Sequence, residues 1–396
     1  LEVLNFMGFN RETHRSSQTG GWRRDSFPIQ LNEPFFAVPE YYGIPIPGQR
    51  WHTEMYLDKA VKYKVFCDLQ ILSHCAHVVY IPEHLEKYIP ILTTITQNYM
   101  KFPSFYGFNY NDEMFFGVGW WMTGEMSEYG DKPQKWLKEK YEEKFKGRPW
   151  SDVLLYALET MYNTFNKVVR EIKKDINLTA TPMWQFPAVE GSYAPTIYKD
   201  MSESYSHFLS EGYHVPWYAP HSVDFLKRPK LPIMGVFDNC YHNGSGDIYV
   251  KNANLILGRG VNGIGVQHTR PFFDWNSVYK MKLVNDIVIK YGGIYSNCLP
   301  MNEACILYSY TQDVKEKRNC LGTPHWEKVY AIYGAGLMAG IPMSIIYEED
   351  IINDYLFKED GDLRFDMLFI IGIKELPENV KKKIDIFISK GGKVFY

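Results

Sequence analysis

Short apolar segments alternate with helical segments along most of this chain, and that alternation limits the folds open to it. From about residue 53, stretches with a helical period are each followed by strand-like sequence. Strands that alternate with helices pair in parallel through right-handed βαβ units. Repeated over about 250 residues, the pattern predicts a (β/α)8 barrel, an α/β fold of the TIM-barrel type.

The predicted strands of this first part number seven, one fewer than a closed barrel contains. They are 1–9, 65–72, 104–112, 176–185, 204–213, 230–239 and 261–269, and the clearest helices are 53–64, 83–102 and 150–175. The first βα unit is therefore expected upstream of Leu1, and the chain is interpreted as a fragment. Residues 10–52 show no periodicity and are predicted to form a long loop.

A different pattern begins near residue 300. Apolar strands are predicted at 304–310, 343–350, 366–372 and 393–396, with amphipathic helices at 325–340 and 378–392. Apolar strands that bracket amphipathic helices indicate a doubly wound parallel sheet. We therefore predict two domains, a barrel at 1–297 and a flavodoxin-like domain at 298–396 that is incomplete at its C-terminus.

The composition narrows the range of functions that the chain can have. A net charge of −3, from 43 basic and 46 acidic side chains, gives no electrostatic footprint for nucleic acid. Aromatic residues make up 16% of the chain, and amphipathic rings are natural partners for sugars, although a large core is an equal explanation. The six cysteines have no metal-site spacing, so neither a metal nor a cofactor is expected. Cys67 and Cys75 are near enough in sequence to form a disulfide.

Polar residues follow several predicted strands, at the edge where barrel enzymes keep their active sites. Asp112 and Glu113 close one strand, and Asp238 with Asn239 closes another. Strand ends also supply Asp68, His74, Gln185, His207, Gln267 and His268, with Trp120, Trp121, Trp184, Trp217 and Trp275 nearby. Glycoside hydrolysis needs two carboxyl groups flanking the scissile bond, and this set offers them together with amides for sugar hydroxyls and rings for stacking.

Each candidate also has a structural explanation. Asp112 and Glu113 are suited to capping the helix that follows them. Asp68 lies in the middle of the strand-like segment 65–72, where it is suited to forming hydrogen bonds with the barrel backbone or with an arginine. Asp238 precedes a turn-rich loop in which Asp is a common turn former. The histidines fit pocket-lining positions better than acid–base roles.

Two stretches resemble a known family. "SFYGFNYNDE" (104–113) resembles the acid–base strand of the TIM-barrel glycoside hydrolases, which ends in Asn-Glu after "HP" or "FP". The segment from "NEACILYSYTQD" to "GGKVFY" (302–396) is similar to the flavodoxin-like trimerisation domain of the barrel-type β-galactosidases. That domain resembles class I glutamine amidotransferases without their catalytic cysteine. Neither Cys305 nor Cys320 lies at a nucleophile elbow, so no amidotransferase chemistry is expected.

The resemblance implies roles for individual residues. Glu113 takes the place of the general acid/base, although an Asp is inserted in the expected Asn-Glu pair. Asp238 stands where the family usually has a Glu nucleophile, and Glu190, Glu203 and Glu211 are other carboxylates on the upper loops. Residues expected to bind the sugar are Asn111, Asp112, Trp120, Trp184, His207, Asn239, His268 and His14.

The sequence alone does not distinguish between two functions. The first is a glycosidase for β-galactoside-like or related carbohydrates, and the second is a catalytically silent barrel that binds carbohydrate or serves as a structural protein. The expected partners are a carbohydrate substrate and further copies of the chain, as a trimer or dimer by resemblance, with no nucleic acid and no membrane. The compartment is open, and two sequons, at Asn177 and Asn243, fit an extracellular or periplasmic location.

Overall fold

The chain builds two parallel sheets connected by helices. The computed structural model describes residues 11–15, 49–72, 82–111, 139, 143, 146, 160, 163–180, 207–212, 218–226, 233–237, 246–266, 274–297, 303–313, 315–316 and 324–396. The first sheet contains seven strands that pair in chain order, all in parallel. The strands are β1 (Arg11–Arg15), β2 (Phe66–Leu72), β3 (Phe105–Asn111), β4 (Asn177–Ala180), β5 (His207–Gly212), β6 (Ile233–Phe237) and β7 (Gly263–Val266).

Helices separate these strands along the chain. They are α1 (Gln49–Lys62), α2 (Pro82–Tyr99), α3 (163–172), α4 (Tyr218–Leu226), α5 (Gly246–Leu257) and α6 (Trp275–Tyr295). The predicted α/β class and the parallel pairing of consecutive strands are confirmed. The sequence interpretation specified no helix for α4, α5 or α6.

In the N-terminal part, the structure differs from the sequence interpretation. Residues 11–15 form β1, which pairs with β2, although they lie within the predicted loop at 10–52. The sequence RETHR is polar and has no apolar alternation, so no pattern revealed this strand. The predicted strand at 1–9 lies outside the described residues. Cys67 is buried, and Cys75 lies outside the described residues, so their pairing stays a prediction.

The core of the first sheet lies between its strands and their helices. Leu57 and Ala60 of α1, Leu92 of α2, and Leu178 of β4 are buried, each at most 2% exposed. A second cluster joins α5, α6 and β7 through Tyr249, Ile256, Val261, Ile264, Val278, Met281 and Val284. These contacts bury the inward faces of the helices, which is the main driving force for the fold.

The second sheet is smaller. It contains β8 (Ala304–Tyr308), β9 (Met343–Tyr347), β10 (Met367–Phe369) and β11 (Lys393–Phe395), in the order β11-β10-β8-β9 and all parallel. Its helices are α7 (Tyr310–Asp313), α8 (Pro324–Met338), α9 (Glu348–Ile352) and α10 (Glu378–Ser389). The predicted strand at 343–350 is too long, because α9 begins at Glu348, where three consecutive acids favour a helix N-terminus.

Helix α4 of the first sheet packs against the second sheet. The ring of His221 lies among the rings of Phe225, Trp326, Tyr330 and Tyr333, with centroids 4.9–5.6 Å apart. The Tyr347 hydroxyl donates a hydrogen bond to the carbonyl oxygen of Phe225. The two sheets therefore share a buried aromatic interface rather than being joined by the chain alone.

Candidate active site

The carboxyl ends of the first sheet's strands define one edge of that sheet. Asn111 is the last residue of β3, and Phe237 is the last residue of β6. Glu113 follows β3 by two positions in the sequence, and Asp238 follows β6 by one. The two carboxylates singled out on sequence therefore follow strands that end at the same edge, since all seven strands run in parallel.

Most of the predicted site residues lie outside the described residues. These are Asp112, Glu113, Trp120, Trp184, Asp238, Asn239 and His268. Three others have defined backbone positions. Asn111 ends β3 in register with Leu72, and His14 is in β1 in register with Leu69. His207 is the first residue of β5, in register with Thr179, so its assignment to the carboxyl end of its strand is wrong.

Glu211 is a strand-end carboxylate that the sequence interpretation had placed on a loop. It is the residue before the last in β5, and its backbone is in register with Val236 of β6. Asp238 lies two positions beyond Val236 in the sequence. The sequence interpretation included Glu211 in the strand predicted at 204–213 but counted it among the carboxylates of the upper loops.

A buried polar group lies within the sheet, below this edge. The Asn177 amide donates hydrogen bonds to Asp68 Oδ1 and to Thr179 Oγ1, each at 3.1 Å. Asp68, Asn177 and Thr179 are at most 4% exposed. Burying such groups is costly unless they are hydrogen-bonded, so these bonds offset the cost of placing polar side chains inside the sheet.

Gly107 makes this arrangement possible. Its backbone is in register with Asp68 on one side and with Asn177 on the other, so it lies between the two partners. A Cβ at this position would clash with the carbonyl oxygen of Asn177. Asp68 also lies four residues before Leu72, about 13 Å from the strand end. Asp68 is therefore a structural acid of the sheet interior, which agrees with the structural explanation considered for it on sequence. Its hydrogen-bond partner is the Asn177 amide rather than an arginine.

The second sheet has its own polar cluster, just past β8 and β9. Ser309 and Thr311 donate hydrogen bonds to the two oxygens of Glu348, the second at 2.8 Å. The Ser309 amide donates to His325 Nε2 at 2.9 Å, and the His325 amide donates to Glu316 at 2.6 Å. The cluster joins β8, β9 and α8.

Burial sets the protonation of this cluster. Burial raises the pKa of Glu348, against the hydrogen bonds from Ser309 and Thr311 that lower it. Burial lowers the pKa of His325 to about 4, which keeps its imidazole neutral and able to accept from the backbone. Burial also raises the pKa of the Cys305 thiol, which lies inside β8, so this cysteine is not an activated nucleophile.

Metal ligands and membrane spans are considered within the described part of the chain. There, no group of three His, Cys, Asp or Glu side chains is placed to hold a metal ion. None of the helices in those ranges is long and apolar enough to cross a membrane.

Comparison with known proteins gives matches in structure but not in sequence. No protein-family model and no curated protein matches the chain. The structure is similar to the β-galactosidase of the psychrophilic Marinomonas ef1, with a TM-score of 0.63 at 10% identity, over 99% of this chain and 72% of that one. It is also similar to the β-galactosidase of Bacillus circulans sp. alkalophilus, with a TM-score of 0.62 at 9% identity, over 99% of this chain and 67% of that one.

A third neighbour has a different activity. The α-L-fucosidase isoenzyme 2 of Paenibacillus thiaminolyticus matches with a TM-score of 0.63 at 13% identity, over 99% of this chain and 59% of that one. The chain thus has the fold of a group of glycoside hydrolases, and at such identities the likeness concerns the fold.

Proposed function

We propose that this protein is a glycoside hydrolase that cleaves β-galactoside-like carbohydrates with two carboxylates. The proposal is supported by the parallel strands β3 and β6, which end at the same side of a sheet whose structural neighbours include β-galactosidases; Glu113 and Asp238 follow these strands in the sequence by two positions and one. Active sites of (β/α)8 enzymes are built at that edge.

Each carboxylate has a role. Glu113 protonates the leaving-group oxygen, since aromatic residues crowd the sequence around it and an apolar setting favours a protonated acid. Asp238 attacks or stabilises the anomeric carbon. The residues proposed to bind the sugar are Asn111, Asp112, His14, Asn239 and His268 through hydrogen bonds, and Trp120 and Trp184 through stacking.

The architecture is part of the proposal. The seven parallel strands are proposed to belong to a (β/α)8 barrel, and the four-stranded sheet to form a flavodoxin-like domain that supports a homo-oligomer. The division falls between the end of α6 at Tyr295 and the start of β8 at Ala304, near the sequence boundary at 298.

A silent carbohydrate-binding barrel is the second candidate function. One feature favours it: an Asp, shorter than the usual Glu, stands at the position of the nucleophile after β6. A retaining mechanism needs the two carboxyl groups about 5–5.5 Å apart, and an inverting one about 6.5–9.5 Å.

Hydrolysis of aryl glycosides tests the proposal. The unmodified chain is expected to cleave a nitrophenyl β-galactoside, and Glu113→Gln and Asp238→Asn are each expected to lower kcat/KM by about 10³-fold. Sugar binding, measured by calorimetry, should persist in Glu113→Gln. Glu378→Gln, at an exposed carboxylate of α10, is the control and should leave the rate unchanged.

The outcomes separate the candidates. If no aryl glycoside in a panel that includes galactosides and fucosides is cleaved while sugar still binds, the silent barrel replaces the hydrolase. If Asp238→Asn stays active and Glu211→Gln does not, the second carboxylate lies on β5 instead. Proton NMR of the released sugar gives the anomer, and with it retention or inversion.

A further inference from the structure

The acceptor pattern for N-linked glycosylation at Asn177 lies inside the seven-stranded sheet. The pattern consists of Asn177, Leu178 and Thr179, which are also the first three residues of β4. Strand β4 pairs with β3 on one side and with β5 on the other, so both of its edges are occupied. A glycan is bulky and hydrophilic, and the acceptor patterns that carry one lie in surface loops.

Burial separates Asn177 from the solvent. The three residues of the pattern are at most 4% exposed, whereas the side chain of Asp175, two positions earlier, is 84% exposed. The chain therefore passes from the surface into the sheet within two residues. Glycosylation requires the side-chain amide nitrogen of the acceptor asparagine to enter the active site of an oligosaccharyltransferase, and in the folded sheet the nitrogen of Asn177 is out of reach.

The amide nitrogen of Asn177 is also fully used by the fold. Its two N–H groups donate to Asp68 Oδ1 and to Thr179 Oγ1, each at 3.1 Å. A glycan bonded to this nitrogen replaces one of the two hydrogens, so one of these buried hydrogen bonds is lost. The loss is costly because Asp68 and Thr179 are fully buried, and buried polar groups depend on their hydrogen bonds.

The neighbouring strand leaves no room for a sugar. Gly107 of β3 lies in register between Asp68 and Asn177, and a Cβ at this position would clash with the carbonyl oxygen of Asn177. Because protein interiors are close-packed, a sheet that is too tight for one methyl group at this point does not admit a sugar ring.

We propose that glycosylation of Asn177 and formation of the seven-stranded sheet exclude each other. The chain then folds only where Asn177 stays unmodified, and a glycan added to the unfolded chain prevents it from folding. The acceptor pattern at Asn177 is accordingly no sign of a secreted glycoprotein. It is instead a reason for the chain to fold before it meets an oligosaccharyltransferase, or away from one.

An assay with purified oligosaccharyltransferase and a lipid-linked oligosaccharide tests the folded state. The chain carries Asn243→Gln, so that Asn177 belongs to the only remaining acceptor pattern. Tryptic peptides of the same chain are the positive control, because they contain the pattern without the sheet. We expect the folded chain to be modified at least about 100-fold more slowly than the peptides, because the sheet must open first. Equal rates would overturn the proposal.

Expression of the same chain behind a signal sequence in a eukaryotic secretory host tests the glycosylated state. Mass spectrometry after endoglycosidase treatment measures the occupancy of Asn177 in the folded, protease-resistant fraction and in the misfolded fraction. We expect an occupancy at least about tenfold lower in the folded fraction, because a chain that carries the glycan does not complete the sheet. A folded protein with a glycan on Asn177 would contradict the proposal.

Two substitutions of Thr179 separate glycosylation from stability. Thr179→Val removes the acceptor pattern and keeps a side chain of the same shape, whereas Thr179→Ser keeps both the pattern and the hydroxyl. Thr179→Val should raise the yield of folded protein in the secretory host but not in the bacterial cytosol, where no N-glycan is added, and Thr179→Ser should raise it in neither. An equal gain from Thr179→Val in both hosts would count against the proposal, because the substitution would then act on the fold alone.

Discussion

The two sheets bury their polar residues in different places. In the seven-stranded sheet, Asp68 and Asn177 lie within strands and are held there by hydrogen bonds across Gly107. In the four-stranded sheet, all five residues of β8 are buried and none has a charged or amide side chain. The buried polar groups of that sheet, Ser309 and Glu348, come directly after the strands.

This difference separates two ways of stabilising a sheet. A sheet interior that contains a buried acid and a buried amide depends on a few directional bonds. A sheet with an apolar interior depends on area buried from water, which is non-directional.

Breaking the interface between the sheets should have the largest effect on stability. Asp224 of α4 pairs with Arg259 and accepts a hydrogen bond from the Tyr333 hydroxyl at 2.6 Å. Asp224→Ala removes the carboxylate that pairs with the buried Arg259 and accepts from Tyr333, and we expect it to lower the free energy of unfolding by about 3–5 kcal/mol. Urea unfolding gives the value, and hydrogen exchange shows which strands lose protection.

The control removes both charges. Asp224→Leu combined with Arg259→Met should recover part of the loss, because apolar side chains then replace the buried ion pair. If the sheets depend on each other, β2–β4 and β8–β9 lose protection together in Asp224→Ala. Loss confined to β8 and β9 would show that the first sheet stands without this interface.

Gly107→Ala tests the first sheet alone. The new Cβ meets the Asn177 backbone, so the strand must shift, and overpacking of this kind costs about 2–3 kcal/mol. Gly293→Ala on α6 is the control, because nothing lies within 4 Å of its Cβ. That change should stabilise the helix by about 0.5–1 kcal/mol. A Gly107→Ala protein as stable as the parent would show that the polar bridge is not tightly constrained.

The sequence predicted the repeated elements better than the contacts between them. Strand and helix periods are local, so β2, β3, β6, β8 and β9 were found within a few residues of their observed bounds. Strand β1 was missed because its five residues are polar. The bond between Asn177 and Asp68 joins residues 109 positions apart and depends on the absence of a side chain at Gly107. No local pattern carries that information, and the same holds for the contacts of α4.

The histidine in the interface makes stability depend on pH. Burial, with a smaller contribution from the Arg259 charge, lowers the pKa of His221 to about 3. Between pH 6.5 and about 3 the unfolded chain binds a proton that the folded chain does not, so stability falls as the pH falls. From pH 6.5 to 4.5, His221 should account for a loss of about 2 kcal/mol.

His221→Phe keeps a ring in the aromatic cluster and removes the titration. Unfolding in urea at several pH values should give a shallower loss in this variant. His325, whose pKa burial lowers to about 4, titrates in the same direction and remains in both proteins. Equal slopes for the variant and the parent would mean that protonation of His221 does not limit stability.

The smallest effect is expected where α5 meets α6. Tyr249 is fully buried, and its hydroxyl donates to Asn285 at 2.6 Å. Tyr249→Phe removes one hydrogen bond but keeps the ring, so it should lower the free energy of unfolding by about 1 kcal/mol. Tyr279→Phe is the matched control, since that ring lies on the same helix as Asn285 and is 57% exposed. If Tyr279→Phe proves as costly as Tyr249→Phe, the buried and exposed faces of α6 differ less than their exposure indicates.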